Sequence, residues 1–229
     1  MAEPLTEAKR ILEHASSDVQ KSVLAWLRER HPIHQLETRW RVPAEVILEA
    51  IHRAPDLSQR GVRGLIAEAY FDQVVAVSIR GWTKATPPGN HPFDVLLDSD
   101  RGSVRIQVKT QRRKAGRPML ASEGYRTLSP GKLVVETQRT RAGKDKNSED
   151  TRPYRFDEFD ILAVCMEPST GDWTQFRYTL AKRLLPRPEN PQLLLKFQPV
   201  SSVPDEDWTD KLPVALNWFI EGQQKQISP

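Results

Sequence analysis

Apolar positions in the first third of the chain recur every three to four residues, the period of an amphipathic helix. The pattern is clearest between residues 17 and 30, where one face carries Val19, Val23, Leu24, Trp26 and Leu27. Ser17-Asp18 is a plausible N-cap for this stretch, Pro32 ends it, and Pro43 suits the first turn of the next helix. The pattern predicts four helices, over residues 5–15, 17–30, 43–53 and 58–78.

After Gly81 the apolar period changes to two, which is typical of strands. Strands are predicted over residues 82–86, 92–98, 103–112, 132–139, 160–167 and 173–178, with a weaker one over 193–199 and a closing helix over 208–223. We therefore expect an α/β fold in which a central mixed sheet is flanked by helices and preceded by an N-terminal helical subdomain. The expected parts are a helical region, residues 1–57, and a core with a C-terminal extension, residues 58–229.

Composition narrows the class of protein. The chain has 229 residues, of which 38% are hydrophobic, enough for a core. Its longest apolar run, Ile161 to Met166, is too short to cross a bilayer, and no basic-then-apolar leader is visible. The single cysteine, Cys165, excludes an internal disulfide and a zinc site built from several cysteines. We expect a cytoplasmic protein with no membrane partner.

Charge is distributed unevenly behind the net value of +4. Residues 101–146 hold 13 Lys and Arg and three acids, a balance of +10, which leaves −6 for the rest. Such a stretch suggests a polyanion, usually nucleic acid, although a solvated arginine-rich loop explains the charge equally well. The candidate DNA contacts are Arg112, Arg113, Lys114 and Arg117, together with Arg139 and Arg141 in the polar segment 139–152.

Three segments bring together residues suited to phosphodiester hydrolysis. Glu68 lies on the fourth helix, Asp94 near the start of a strand, and Gln107 and Lys109 on one side of the next strand. A hairpin between the two strands would bring Asp94 beside Gln107 and Lys109. Carboxylate and amide oxygens ligate hard cations such as Mg²⁺, and a nearby lysine can orient the attacking water and neutralise developing charge.

The motif PFD-x(12)-QVK, which ends in Gln107-Val108-Lys109, resembles the signature of the PD-(D/E)XK nuclease superfamily, in the variant with Gln in place of the second acid. The helix with Gly64-x-x-x-Glu68 is similar to the one that opens the core in Mrr-like and Holliday-junction-resolvase-like members, and the resemblance covers about residues 60–178. It implies that Asp94, Gln107 and Glu68 hold the metal and that Lys109 is the catalytic lysine. Two departures are Phe93, which separates Pro92 from Asp94, and the Gln, which removes a negative charge and places more weight on Glu68.

The resemblance implies a Mg²⁺-dependent endonuclease acting on double-stranded DNA, foremost a type II restriction enzyme. A homodimer is expected because cutting both strands of a palindrome favours two-fold symmetry. A structure-specific, repair or transposon-end nuclease is the alternative within the class, and a non-catalytic DNA-binding protein with a decayed core is the alternative outside it. Each site residue also has an ordinary explanation: a solvated helix position for Glu68, a turn former for Asp94, and an exposed strand face for Gln107 and Lys109.

Overall fold

The computed structural model describes residues 3–139, 143 and 151–229. The chain divides into two compact units, Met1–Gln59 and Arg60–Pro229.

The first unit is helical, with α1 (Glu3–His14), α2 (Ser17–Arg30), α3 (Gln35–Trp40), α4 (Ala44–Arg53) and the start of α5 (Asp56–Tyr70). Helix α3 was not predicted, because its six residues are too short for a periodic pattern. It begins where Glu37 accepts hydrogen bonds from the backbone N–H groups of Ile33 and His34. Arg28 pairs with Glu37 at 2.7 Å and also with Glu45, which links α2, α3 and α4. None of these three helices buries a residue completely.

The second unit contains the sheets. Helix α5 continues through a π-helical turn (Phe71–Val75) and a 3-10 turn (Ala76–Ser78). The remaining elements are β1 (Thr83–Ala85), β2 (Val95–Ser99), β3 (Gly102–Thr110), β4 (Arg113–Lys114), β5 (Arg117–Pro118), α6 (Ala121–Gly124), β6 (Leu133–Glu136), β7 (Ile161–Cys165), α7 (Glu167–Thr170), β8 (Phe176–Leu180), a 3-10 turn (Ala181–Arg183), β9 (Phe197–Val200) and α8 (Leu212–Ile220).

The central sheet has five strands in the order β1-β2-β3-β7-β8. Strands β3 and β7 run parallel, and the other neighbours are antiparallel. The β2–β3 hairpin closes between the paired residues Ser99 and Gly102, where Gly102 has a φ of 120°, a conformation open mainly to glycine. The sequence prediction of an α/β fold with a mixed central sheet is confirmed.

The two faces of this sheet differ. On one face Val104, Ile106 and Val108 of β3 pack in a core that includes residues of α5 and α8. On the other face Leu162 and Val164 of β7 join a second core with Trp208 and with residues of β6 and β9. Because side chains alternate along a strand, the polar residues of β3 point to this second face.

Several predicted boundaries are wrong. The strand predicted over 103–112 ends at Thr110, because the Arg112 N–H donates to the carbonyl of Val134 and the chain leaves the central sheet. The strand predicted over 132–139 is shorter and pairs with β9 outside that sheet. The helix predicted over 58–78 changes to π and 3-10 turns after Tyr70. Most of the polar segment 139–152 lies outside the described residues.

Candidate active site

Asp94 stands immediately before β2, where its backbone N–H donates to the carbonyl of Ile106 at 3.0 Å. The β2–β3 register pairs Val95 with Ile106 and therefore continues to Asp94 opposite Gln107. Val95 is buried in the first core, so Asp94 faces the other side of the sheet, as Gln107 and Lys109 do. The hairpin thus places all three residues on one face.

Two hydrogen bonds orient the Asp94 carboxylate. The Val108 N–H donates to Asp94 Oδ2 at 2.7 Å, and Gln107 Nε2 donates to the same oxygen. Gln107 Nε2 also donates to the carbonyl of Val108 at 3.2 Å. A carboxylate and a carbonyl can only accept, so both contacts require the amide nitrogen and fix the orientation of the Gln107 side chain. The atom that Gln107 presents to Asp94 is its nitrogen, whereas a shared cation needs its oxygen.

Glu68 reaches this site from α5. Glu68 and Asp94 line one cleft with a volume of about 580 Å³. Burial and the negative charge of Asp94 raise the pKa of Glu68 to about 7, while the positive charge of Lys109 acts in the opposite direction. The site therefore favours the protonated form of Glu68, or a bound cation beside it, more than water does.

The pKa of Asp94 is affected by the same environment. Protein surrounding the carboxyl raises its pKa, although the residue remains accessible from the cleft, while Lys109 and the two hydrogen bonds from Val108 and Gln107 oppose that rise. Lys109 thus acts electrostatically on both carboxyl groups. Residues of α5, of β3 and of the position just before β2 are therefore coupled electrostatically.

The donor set of the cleft fits Mg²⁺. Among the described residues, no three His, Cys, Asp or Glu side chains are grouped to hold a metal ion. Mg²⁺ usually takes one or two carboxylates and completes its shell with waters and substrate phosphates. Glu68 and Asp94 provide two carboxylates in one cleft, and these hard oxygen donors suit Mg²⁺.

The cleft has further lining residues that the sequence analysis did not include among the site residues. Asp72 and Lys84 line the same cleft and form an ion pair at 2.5 Å, and His91 lies at its rim. Asp72 follows Glu68 by one helical turn, a spacing that signals a shared face. Lys109 Nζ lies 5.2 Å from the ring centroid of Tyr154, 45 residues further along the chain, and no local pattern signals that contact.

The predicted DNA-contacting run adopts a hairpin in which its cations are paired with acids. Strands β4 and β5 meet at a two-residue turn, Ala115 and Gly116, with φ of 49° and 77°. The ion pairs are Arg112–Glu136 at 3.5 Å, Arg113–Glu167 at 2.9 Å, Lys114–Glu123 at 3.3 Å and Arg117–Glu123 at 2.8 Å. Glu123 and Glu136 are already counted in the +10 balance, so Glu167 is the one of these partners that adds negative charge from outside residues 101–146.

Arg139 also has protein partners. Its guanidinium donates to the carbonyl of Thr151 at 2.9 Å and to Glu158, and it lies 5.1 Å from the ring centroid of Tyr154. Arg141, the other predicted contact in this segment, lies outside the described residues.

Comparison with known proteins gives no family assignment for this chain. No family model matches the chain, and no curated protein does. Among solved structures, a bacterial homing endonuclease, I-Ssp6803I, is similar over 53% of this chain and 69% of that chain, with 21% identity and a TM-score of 0.35. A likeness of this size carries no argument about fold or activity, so both rest on the geometry above. In the described part of the chain, no helix is long and apolar enough to cross a membrane.

Proposed function

We propose that the chain is a Mg²⁺-dependent DNA endonuclease of the PD-(D/E)XK type, foremost a type II restriction enzyme acting as a homodimer. The observation that carries the proposal is one cleft lined by Glu68 and Asp94, with the charge of Lys109 acting on both carboxyl groups. The resemblance of PFD-x(12)-QVK to the nuclease signature, and its location on a hairpin beside a parallel strand, support the same conclusion.

In this proposal Asp94 and Glu68 would hold the ion. Bound Mg²⁺ would polarise a phosphoryl oxygen and lower the pKa of a bound water. The Lys109 ammonium stabilises the negative charge that develops on the phosphate in the transition state. Hydrolysis joins the water oxygen to phosphorus and breaks the bond from phosphorus to one bridging oxygen, which leaves with a proton. Gln107 holds Asp94 through the hydrogen bond from its amide nitrogen.

The β4–β5 hairpin extends the proposed DNA surface. Arg112 and Arg113 follow Lys109 by three and four residues, which at ~3.3 Å per extended residue puts them at most roughly 10–13 Å from it along the backbone. Phosphates flanking the scissile bond would compete with Glu136 and Glu167 for these two guanidinium groups. The sugar-phosphate backbone is therefore the proposed ligand of this hairpin.

A second candidate is a DNA-binding protein whose nuclease core has lost activity. It is favoured by Gln107, which stands in the second acidic position and turns its amide nitrogen to Asp94. The cleft then has one carboxylate fewer than the resemblance implies. Binding would persist in such a protein without hydrolysis.

Incubation of the purified chain with plasmid and phage DNA, in Mg²⁺ and in EDTA, separates these possibilities. Discrete bands in Mg²⁺ alone support the restriction enzyme, whereas smears or a preference for branched DNA support the structure-specific, repair or transposon-end alternative. Binding without cleavage in any divalent cation supports the second candidate. A Lys109→Ala preparation made in parallel serves as the control for contaminating nucleases.

A further inference from the structure

The ring of Tyr154 lies close to two cations. Lys109 Nζ is 5.2 Å from its centroid and the Arg139 guanidinium carbon is 5.1 Å from it. Both distances fall within the ~6 Å over which an aromatic ring attracts a cation. Tyr154 itself is only 5% exposed. The ring therefore contacts the lysine from the protein side, away from bulk solvent.

Packing holds this ring in place. Tyr154 meets Phe159 edge to face, with centroids 5.4 Å apart, and belongs to the second core with Leu162 and Val164. Val164 is the residue of β7 that pairs with Lys109 of β3. The carbonyl of Tyr154 accepts a hydrogen bond from the N–H of Leu194 at 2.8 Å. The position of the ring relative to Lys109 is therefore set by the sheet and by the second core.

The two cations differ in what else holds them. Arg139 donates to Glu158 and to the carbonyl of Thr151, so its place on the ring does not depend on Lys109. Within the described residues, the Lys109 ammonium forms no ion pair and no hydrogen bond. The Tyr154 ring is thus the contact that can restrict where a flexible four-carbon side chain puts its charge.

We infer that Tyr154 is a positioning residue for Lys109 and that its ring holds the lysine ammonium where its charge acts on Asp94 and Glu68. The inference rests on the proposed function, in which Lys109 stabilises the phosphate undergoing hydrolysis. The contact requires the face of an aromatic ring, so a phenylalanine at position 154 should preserve it and an aliphatic residue should not.

The first test measures single-turnover cleavage in Mg²⁺ and DNA affinity in EDTA for Tyr154→Phe, Tyr154→Leu and Phe159→Leu. We expect Tyr154→Leu to lower the cleavage rate about tenfold without changing DNA affinity, and Tyr154→Phe to keep the wild-type rate within about twofold. Phe159→Leu removes one packing contact of the Tyr154 ring but keeps the ring, which the second core and the hydrogen bond from Leu194 still hold, so it should lower the Tm and change the rate much less than Tyr154→Leu does. A wild-type rate in Tyr154→Leu, or an equal loss in Phe159→Leu, overturns the inference.

The second test is independent of cleavage. Reductive ¹³C-methylation keeps the charge of lysines and labels them for NMR, and the Lys109 signal is identified by its loss in Lys109→Arg. It should be shifted upfield by the ring in wild type and Tyr154→Phe, and return to the ordinary position in Tyr154→Leu. Lys196, whose Nζ lies 4.8 Å from the Phe197 centroid, is the internal reference and should not change.

The two proposals fail in different ways. A wild-type protein that does not cleave DNA overturns the proposed function, and the Lys109 signal then decides the inference about the contact by itself. An unshifted Lys109 signal in wild type overturns the inference even in an active nuclease.

Discussion

Glu68 in the cleft and Glu123 beside the β4–β5 hairpin are the same residue type in opposite electrostatic environments. Burial and the neighbouring Asp94 raise the pKa of Glu68 to about 7. Hydrogen bonds from Arg117 and from the backbone of Leu120 lower the pKa of Glu123 to about 2. The cleft therefore brings like charges together, whereas the hairpin pairs opposite ones.

This difference distinguishes charged groups that are available to bind a ligand from charged groups that already have a partner of opposite sign. Two carboxylates in one cleft favour a proton or a cation between them, which is typical of a functional site. In the hairpin, Glu123 alone is paired with Lys114 and Arg117, so a count of basic residues overstates what a DNA phosphate meets. Variants of the cleft and of the hairpin test whether the two regions differ in function as they do in charge.

The largest expected effect is on cleavage by variants of the cleft. Asp94→Ala and Lys109→Ala should each lower the single-turnover rate on the order of 10³-fold, because each removes a group placed to stabilise the transition state. Circular dichroism and most of the DNA affinity should be unchanged. The controls Asp100→Asn and Lys182→Ala, at exposed positions, should cut normally. Near wild-type cleavage by either cleft variant contradicts the mechanism.

The next effect concerns the salt dependence of DNA binding. If Arg112 and Arg113 both contact phosphates, replacing both by alanine should reduce the slope of log K against log salt by about 1.8, or ~0.9 for each phosphate. If one of them reads a guanine edge, the slope changes less and site preference falls by ~1–3 kcal/mol. Arg10→Ala, which breaks a surface pair with Glu7, is the control. If both the salt slope and the preference between DNA sites are unchanged, Arg112 and Arg113 have a structural role and do not contact DNA.

A smaller effect of opposite sign is expected from Glu123→Gln. This change releases Lys114 and Arg117 from their acidic partner, so DNA should bind a few-fold more tightly and with a steeper salt slope. Glu206→Gln, which breaks the exposed pair with Lys225, is the matched control and should leave binding unchanged. Weaker binding by Glu123→Gln would mean that the pair holds the hairpin in its DNA-binding shape.

The smallest effects are in stability against pH, measured as Tm in EDTA. The folded-state pKa of Glu68 lies above its ordinary value of 4.5, so stability falls as pH rises from about 4.5 through 7. Glu68→Gln should therefore exceed the wild-type Tm by a few degrees at pH 8 and match it near pH 4. If the two Tm values agree at pH 8, burial and the charge of Asp94 do not raise the pKa of Glu68 as described.

Glu123 should show the reverse dependence in a lower pH window. Its folded-state pKa lies below 4.5, so its contribution is present above about pH 4.5 and is lost as pH falls towards 2. Glu123→Gln should therefore melt below wild type at pH 6, and the difference should disappear near pH 2. A difference that is constant across pH would point to lost packing instead of lost charge.

Local elements and one face of the site could be predicted from sequence alone. Helical period predicted α2 and α4, and alternation along β3 placed Gln107 and Lys109 on one side. The short β2–β3 hairpin then made Asp94 their neighbour. These features were predictable because side-chain direction in a helix or strand depends on residues only a few positions apart.

The pairing of charged groups depends on tertiary packing. Glu68 lines one cleft with Asp94, Lys109 lies over the ring of Tyr154, and Arg113 pairs with Glu167, in each case across 26 or more residues. No period or motif encodes such pairs, because their distances are set by how the sheet, the helices and the two cores pack. The same packing sets the desolvation that raises the pKa of Glu68, and therefore which charges remain free to bind a cation or DNA.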